Sequence, residues 1–143
     1  MKLDELTDYN KINDDPVRPH LSVDFRTAPG REIYCLNEDD DIKAIICVAY
    51  TNEVPIDESE LEKLTQEHGE IAVFYTVWSY AKGAGRQMVL DTASFIKNNK
   101  PVKRFITLSP KTEMARKFHL SNGALELQDN ALSVNYEYPS ELI

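Results

Sequence analysis

Residues Glu70 to Ser79 constrain this chain more than any other stretch. Ile71-Ala-Val-Phe-Tyr-Thr-Val-Trp78 is nearly continuous in apolar or aromatic character. Such a run fits a central strand buried on both faces of a sheet. After it come Tyr80-Ala-Lys-Gly-Ala-Gly-Arg86 and a helical pattern from Gly85 to Asn98. In that pattern Met88, Val89, Thr92, Phe95 and Ile96 fall on one stripe. Val102 to Leu108 reads as the next strand. Strand, helix and strand in this order imply a parallel pair joined by a right-handed crossover.

The flanking segments add antiparallel strands. Arg31–Leu36 and Ile42–Tyr50 are rich in β-branched and aromatic residues. Asn37–Asp41 between them reads as a polar hairpin loop, longer than the tightest turns. Asp57 is placed to cap a helix, with Glu60 three residues on, Ile56 able to pack on Leu61, and Gly69 as the expected stop. Ser109 is expected to cap a further helix with Pro110 in its first turn, and Asn122-Gly123 to end it. Ala124–Leu127 and Ala131–Tyr138 read as a closing hairpin, with Leu132, Val134, Tyr136 and Tyr138 alternating. Residues 1–20 are polar, contain Pro16 and Pro19, and predict a short helix and an extended segment. No repeat, low-complexity tract or linker divides the chain. The expectation is a single α+β domain over residues 1–143, with a mixed central sheet and helices on both faces.

Charge narrows the partners. The 143 residues hold 24 acidic against 16 basic side chains, a net charge of −8. Broad nucleic-acid binding needs a positive surface, so no nucleic acid is expected. Lys97, Lys100, Lys103 and Arg104 cluster, as do Lys111, Arg116 and Lys117; these read as solvated helix faces. No apolar run approaches the ~20 residues of a membrane span, so no membrane is expected. The N-terminus is too acidic and too broken for a signal peptide. Cys35 and Cys47 lie on neighbouring predicted strands and read as small apolar residues. A reducing, cytoplasmic location follows. His20, His68 and His119 have no metal-ligand spacing, which predicts no metal.

The loop at residues 80–86 has its own chemistry. Two glycines let backbone approach a ligand, and a helix starting at Gly85 or Arg86 leaves free N–H groups at its positive dipole end. A pyrophosphate fits such a place, with charge from Lys82 and Arg86. A glycine-containing turn with no ligand satisfies the same spacing. A full dinucleotide fingerprint is absent, because Met88 stands at the third glycine position.

The strand, the Gly83-Ala-Gly85 loop, the helix, the next strand and Ala115-Arg-Lys-Phe-His-Leu-Ser-Asn-Gly-Ala124 together resemble the acyl-CoA core of the GNAT acetyltransferase superfamily. That family's loop usually opens with Gln or Arg, where this chain has Tyr80. It usually carries a tyrosine where His119 stands. Within the superfamily the chain is most similar to the catalytic domain of the malonyl-CoA decarboxylases. The similarity runs through Ala72-Val-Phe-Tyr75, Lys82-Gly83, Phe105-Ile-Thr-Leu-Ser-Pro110, Phe118-His-Leu-Ser-Asn-Gly-Ala124 and Val134-Asn-Tyr-Glu-Tyr138, and more weakly through Ile46–Pro55. These stretches cover residues 31–138. The polar Lys111-Thr-Glu-Met114 and the short Gln128-Asp-Asn130 depart from that pattern. The resemblance implies a GNAT-like acyl-CoA N-acyltransferase fold. It also implies coenzyme A, as acetyl-CoA or malonyl-CoA, held by Val77, Trp78, Lys82, Gly83, Ala84, Gly85 and Arg86 beneath a splayed sheet edge. A Ser/His pair at Ser109 and His119 completes the implied site.

Decarboxylation of a malonyl thioester leaves an enolate, which needs a donor at its oxygen and an acid at its carbon. Histidine suits the proton transfer, since its ordinary pKa of ~6.5 is near working pH. Serine suits the hydrogen bond. If the helix over 110–121 is regular, the ten residues from Ser109 to His119 span ~15 Å and the two cannot touch directly; the sequence alone leaves open whether they meet. Each also has a plain structural reading, Ser109 as an N-cap and His119 as a helix C-terminal residue. Glu70 could act through water as a base toward an amine; a solvated strand end is the simpler reading. Phe74, Tyr75 and Trp78 read as core, as do Tyr136 and Tyr138, although the last two could line an acceptor cleft. The leading expectation is an acyl-CoA enzyme resembling malonyl-CoA decarboxylase. An N-acetyltransferase acting on an amine is the alternative, with a non-catalytic acyl-CoA-binding module as the third reading. A homodimer is compatible with any of these.

Overall fold

A computed structural model describes residues 1–143. Seven strands form one sheet: β1 (Lys2–Glu5), β2 (Arg31–Glu38), β3 (Asp41–Thr51), β4 (Ile71–Ser79), β5 (Arg104–Thr107), β6 (Leu125–Asp129) and β7 (Val134–Tyr138). Four α-helices accompany them: α1 (Val23–Arg26), α2 (Glu58–Leu64), α3 (Ala84–Asn99) and α4 (Glu113–Ser121). The spatial order is β1-β2-β3-β4-β5-β7-β6. Only β4 and β5 run parallel, and α3 is their crossover. This is the mixed sheet that the strand–helix–strand reading requires. No helix is long and apolar enough to cross a membrane.

The core divides by sheet face. On one side α3 buries Met88, Val89, Ala93 and Ile96 against Tyr34, Ile46, Phe74 and Tyr136. On the other, Leu61 of α2 packs with Ile45, Val73 and Tyr75. Helices therefore cover both faces, as expected. The α3 stripe is as read except for Phe95. That ring is 42% exposed and meets Tyr34 edge-on with centroids 5.8 Å apart.

Several local expectations are corrected. The loop between β2 and β3 is only Asp39-Asp40, because Asn37 pairs with Ile42 and Glu38 with Asp41. Both aspartates are left-handed, at φ 52° and 67°, as the tightest hairpin turns require. The α2 helix stops at Leu64, well before Gly69. Asp57 does cap it, accepting from Glu60 N–H at 2.8 Å, while Glu60 reaches back to Ile56 N–H at 3.0 Å. Gly69 is needed for another reason: a Cβ there would lie 2.4 Å from the Thr51 nitrogen.

Ser109 does not cap α4. Thr112 does, accepting from Ala115 N–H at 3.2 Å. The helix closes at Gly123, φ 101°, with Ala124 N–H bonded to His119 C=O and Gly123 N–H to Leu120 C=O. That paired pattern is a Schellman end. Leu132 lies outside β7 and is 76% exposed. The N-terminal strand β1 escaped the sequence reading because Lys2-Leu-Asp-Glu5 is a charged edge strand with little apolar signal.

Candidate functional site

The site begins where β4 and β5 part. They pair only from Ile71–Phe74 with Arg104–Thr107. One further bond, Leu108 N–H to Phe74 C=O at 3.0 Å, closes the vertex. Ser109 then turns away to bridge Val134 on the β7 side. Beyond Phe74, β4 runs on to Ser79 with no strand on that edge. A register shift against β3 leaves Tyr75 as an extra residue, a bulge that bends the strand at the point of separation.

A cavity of about 300 Å³ fills the split. Phe74 to Ser79 of β4 form one side, and Leu108, Ser109 and Pro110 the other. Gly85 of α3 and Met114, Ala115, Phe118 and His119 of α4, with Thr112, complete the helical side; Pro16 and Val17 close it from the N-terminal segment. No lysine, arginine, aspartate or glutamate lines it.

His119 is buried, at 5% exposure. Its Nδ1 lies 2.7 Å from the Tyr138 hydroxyl. Its ring stacks on Tyr136 with centroids 5.2 Å apart and meets Phe118 edge-on at 5.0 Å. Desolvation lowers its pKa to about 4, because no carboxylate offsets the loss of water. It is therefore a neutral imidazole at neutral pH. Burial likewise pushes the Tyr138 hydroxyl up to about 12.

Ser109 is also buried; its hydroxyl donates to Thr107 Oγ1 at 2.7 Å, and Thr107 Oγ1 also accepts from Tyr136 N–H at 3.0 Å. Ser109 and His119 thus line one cavity without a hydrogen bond between them. The helix-length argument does not apply, because α4 begins at Glu113 and the 109–112 segment is not helical.

Of the residues expected to hold the cofactor, Val77, Trp78 and Gly85 line the cavity. The Trp78 indole donates to Tyr80 Oη at 3.0 Å, and Tyr80 donates to Asp14 at 2.8 Å. Gly83 caps α3 with φ 82° and no side-chain bond. A Cβ on it would meet nothing within 4 Å, whereas one on Gly85 would lie 3.1 Å from Phe118. Gly85 is thus a packing glycine, and the open one is Gly83. Ala84 N–H is bonded to Ala81 C=O, but Gly85 and Arg86 N–H have no protein acceptor. These two amides stand in the first turn of α3, a few residues from the exposed Lys82. Arg86 is turned instead to Ser121 C=O and Asn122 Oδ1, at 3.3 and 3.4 Å, tying α3 to the end of α4.

Glu70 stands apart from the site. It precedes β4 at the end opposite Ser79 and pairs with Lys103 at 3.3 Å. From Thr76 it is roughly 20 Å along the strand, at ~3.3 Å per residue. Most of the basic clusters are likewise paired with carboxylates: Lys100 with Glu32, Arg104 with Glu137, Lys111 with Asp129, and Arg116 with Glu126.

Sequence reasoning missed a buried ionic network behind the split. The Arg26 and Asp15 side chains are fully buried and paired at 2.6 Å. Asp15 also accepts from Thr76 Oγ1 at 2.9 Å. Arg18 spans the split itself, donating to Tyr75 C=O and Leu108 C=O, both at 2.8 Å, and to Glu58 at 2.6 Å. The available signal was weak: basic residues spaced among prolines in a polar segment. The two thiols are free and buried. Cys47 faces Ile33 and Cys35 faces Ile45 across the β2–β3 ladder, and burial pushes the Cys47 thiol up to about 12.

The sheet order, the β4–β5 split and the crossover helix at its mouth are those of the GNAT-like acyl-CoA N-acyltransferase fold, and solved structures bear this out. The malonyl-CoA decarboxylase of Agrobacterium vitis superposes with a TM-score of 0.77 at 16% identity, over 99% of this chain and 61% of that one. The loading GNATL domain of CurA from Lyngbya majuscula gives 0.70 at 13% identity, over 96% of each chain. A Bacillus subtilis acetyltransferase in complex with CoA gives 0.61 at 12% identity, over 95% of this chain and 93% of that one. The chain thus spans about three-fifths of the decarboxylase's length. Neither a protein-family model nor a curated protein sequence matches.

Proposed function

We propose that this chain binds an acyl-coenzyme A thioester in the β4–β5 split and decarboxylates a malonyl thioester to the acetyl thioester and CO2. The observation that carries the reading is the wall chemistry. The cavity lining is largely apolar and includes no charged side chain, the Arg18 guanidinium behind it being taken up by Tyr75 C=O, Leu108 C=O and Glu58, and it places one neutral histidine and one buried serine on the surface. The diphosphate is assigned to the Gly85 and Arg86 amides with Lys82 alongside, and the pantetheine arm to the free edge of β4 along Val77 and Trp78. Coenzyme A as the ligand is supported by the B. subtilis structure, whose fold is alike and which is in complex with CoA.

An apolar wall suits decarboxylation. A carboxylate entering it loses hydration, and its charge disperses as the bond breaks. The bond between the carboxylate and Cα cleaves, CO2 departs, and the electron pair passes into the thioester carbonyl. Neutral His119, and Ser109 once its hydroxyl turns from Thr107 Oγ1, are the donors offered to the resulting oxyanion. A proton from water, relayed through His119, then converts the enolate to the acetyl thioester, and the hydroxide left behind is neutralised by a proton from solvent.

Incubation of the pure protein with malonyl-CoA is expected to yield acetyl-CoA and CO2 in equal amounts, and His119→Ala to abolish turnover. Inert malonyl-CoA beside acetyl transfer to an amine would move the assignment to an N-acetyltransferase. The position of Glu70, far from the split, counts against that alternative. Coenzyme A binding with no turnover of either kind would leave a binding module.

A further inference from the structure

We propose that residues 15–18 form an acyl-selective end wall, admitting a short acyl group to the split and excluding a long one. This rests on the acyl-CoA reading above and adds the residues that set the length of acyl group admitted.

Pro16 and Val17 are the only lining residues of the cavity that come from the N-terminal segment. They stand at the closed end of the split, because their neighbours do. Asp15 bonds to Thr76 on β4, and Arg18 donates to Tyr75 C=O on one lip and Leu108 C=O on the other. The segment is shaped from within as well: Asp15 Oδ1 accepts from Val17 N–H at 2.7 Å and Arg18 N–H at 3.0 Å. Arg26 locks the same carboxylate at 2.6 Å and also donates to Arg18 C=O at 2.7 Å. Swinging this wall aside would break a buried ionic network, so it is a fixed boundary and not a flap.

The geometry of the ligand follows from the strand. A thioester held by its diphosphate at the first turn of α3 runs inward along β4 from Ser79 toward Tyr75. That path is ~13 Å at ~3.3 Å per residue, and it ends on Pro16 and Val17. The cavity at the end of that path is about 300 Å³. In an open apolar channel each added methylene would tighten binding roughly fourfold. Against a wall, added methylenes have nowhere to go and binding weakens.

The test measures affinity for CoA, acetyl-CoA, malonyl-CoA and octanoyl-CoA by calorimetry on the intact chain, then repeats it for Val17→Gly and Val17→Ala. The wild type is expected to bind octanoyl-CoA at least about tenfold more weakly than acetyl-CoA. Either variant is expected to narrow that ratio by about tenfold. Val17 is only half-buried, and circular dichroism confirms that each variant is folded; Val17→Ala, the milder change, decides the matter if the glycine variant is not. Octanoyl-CoA binding as tightly as acetyl-CoA in the wild type, or an unmoved ratio in the folded variants, overturns the wall while leaving acyl-CoA binding in place. No binding of CoA or any acyl-CoA overturns both.

Discussion

The burial of His119 makes a quantitative claim about stability and pH. Its pKa falls from an ordinary value of ~6.5 in the unfolded chain to about 4 in the folded one. Between those values the unfolded state binds the proton and the folded state does not. Stability from this group is therefore fully present above ~6.5 and is lost as pH falls toward 4. Linkage gives ~2.5 kcal/mol lost between pH 7 and pH 4.5 from this residue alone. With a urea slope of ~2 kcal/mol per molar, the unfolding midpoint should drop by ~1 M. Urea titrations at the two pH values, for wild type and for His119→Phe, isolate the effect, since every other titrating group is common to both. The phenylalanine variant should lose about 1 M less on acidification. NMR titration of the imidazole carbons should place the folded transition near 4. Equal acid losses in both proteins, or a histidine titrating near 6.5, would refute the buried neutral imidazole and the chemistry assigned to it.

Other outcomes follow from the same geometry. Arg26→Met leaves the fully buried Asp15 carboxylate without its cation and should cost ~3–5 kcal/mol in urea unfolding; adding Asp15→Asn should recover part of that loss. Gly69→Ala, with a Cβ 2.4 Å from the Thr51 backbone, should cost more than ~2 kcal/mol. Gly83→Ala, which has open space but φ 82°, should cost only ~1 kcal/mol by thermal denaturation. Ser109→Ala should lower kcat for malonyl-CoA by ~10²-fold with little change in calorimetric CoA affinity. A fall in affinity matching the fall in rate would make Ser109 a packing residue instead.

Legibility in the sequence tracked the range of the interactions. Residues 71–78 could be read as a strand buried on both faces because the signal lies in consecutive side chains. Met88, Val89 and Ile96 could be read as the inner face of α3 because helical spacing is local. The Asp57 cap and the Gly123 stop were visible for the same reason. The resemblance carried the chain further, to residues 109 and 119, although the segment between them folds differently from the helix drawn there. Ser109 sits where a cap belongs, but its backbone is already paired with Val134 across the sheet, and Thr112 is left to begin the helix.

The amino-acid order determined the βαβ unit, the β2–β3 pair before it and the β6–β7 pair after it, and the unpartnered amides where α3 starts, since each depends on patterns within a dozen residues. Only the tertiary structure decided that β4 and β5 separate after Phe74, that Arg18 spans the gap, and that His119 sits neutral beside Tyr138. Those outcomes depend on residues 19 to 90 positions apart meeting in space. Their energies come from desolvation and from partners supplied by distant segments, and neither is encoded in the neighbours along the chain.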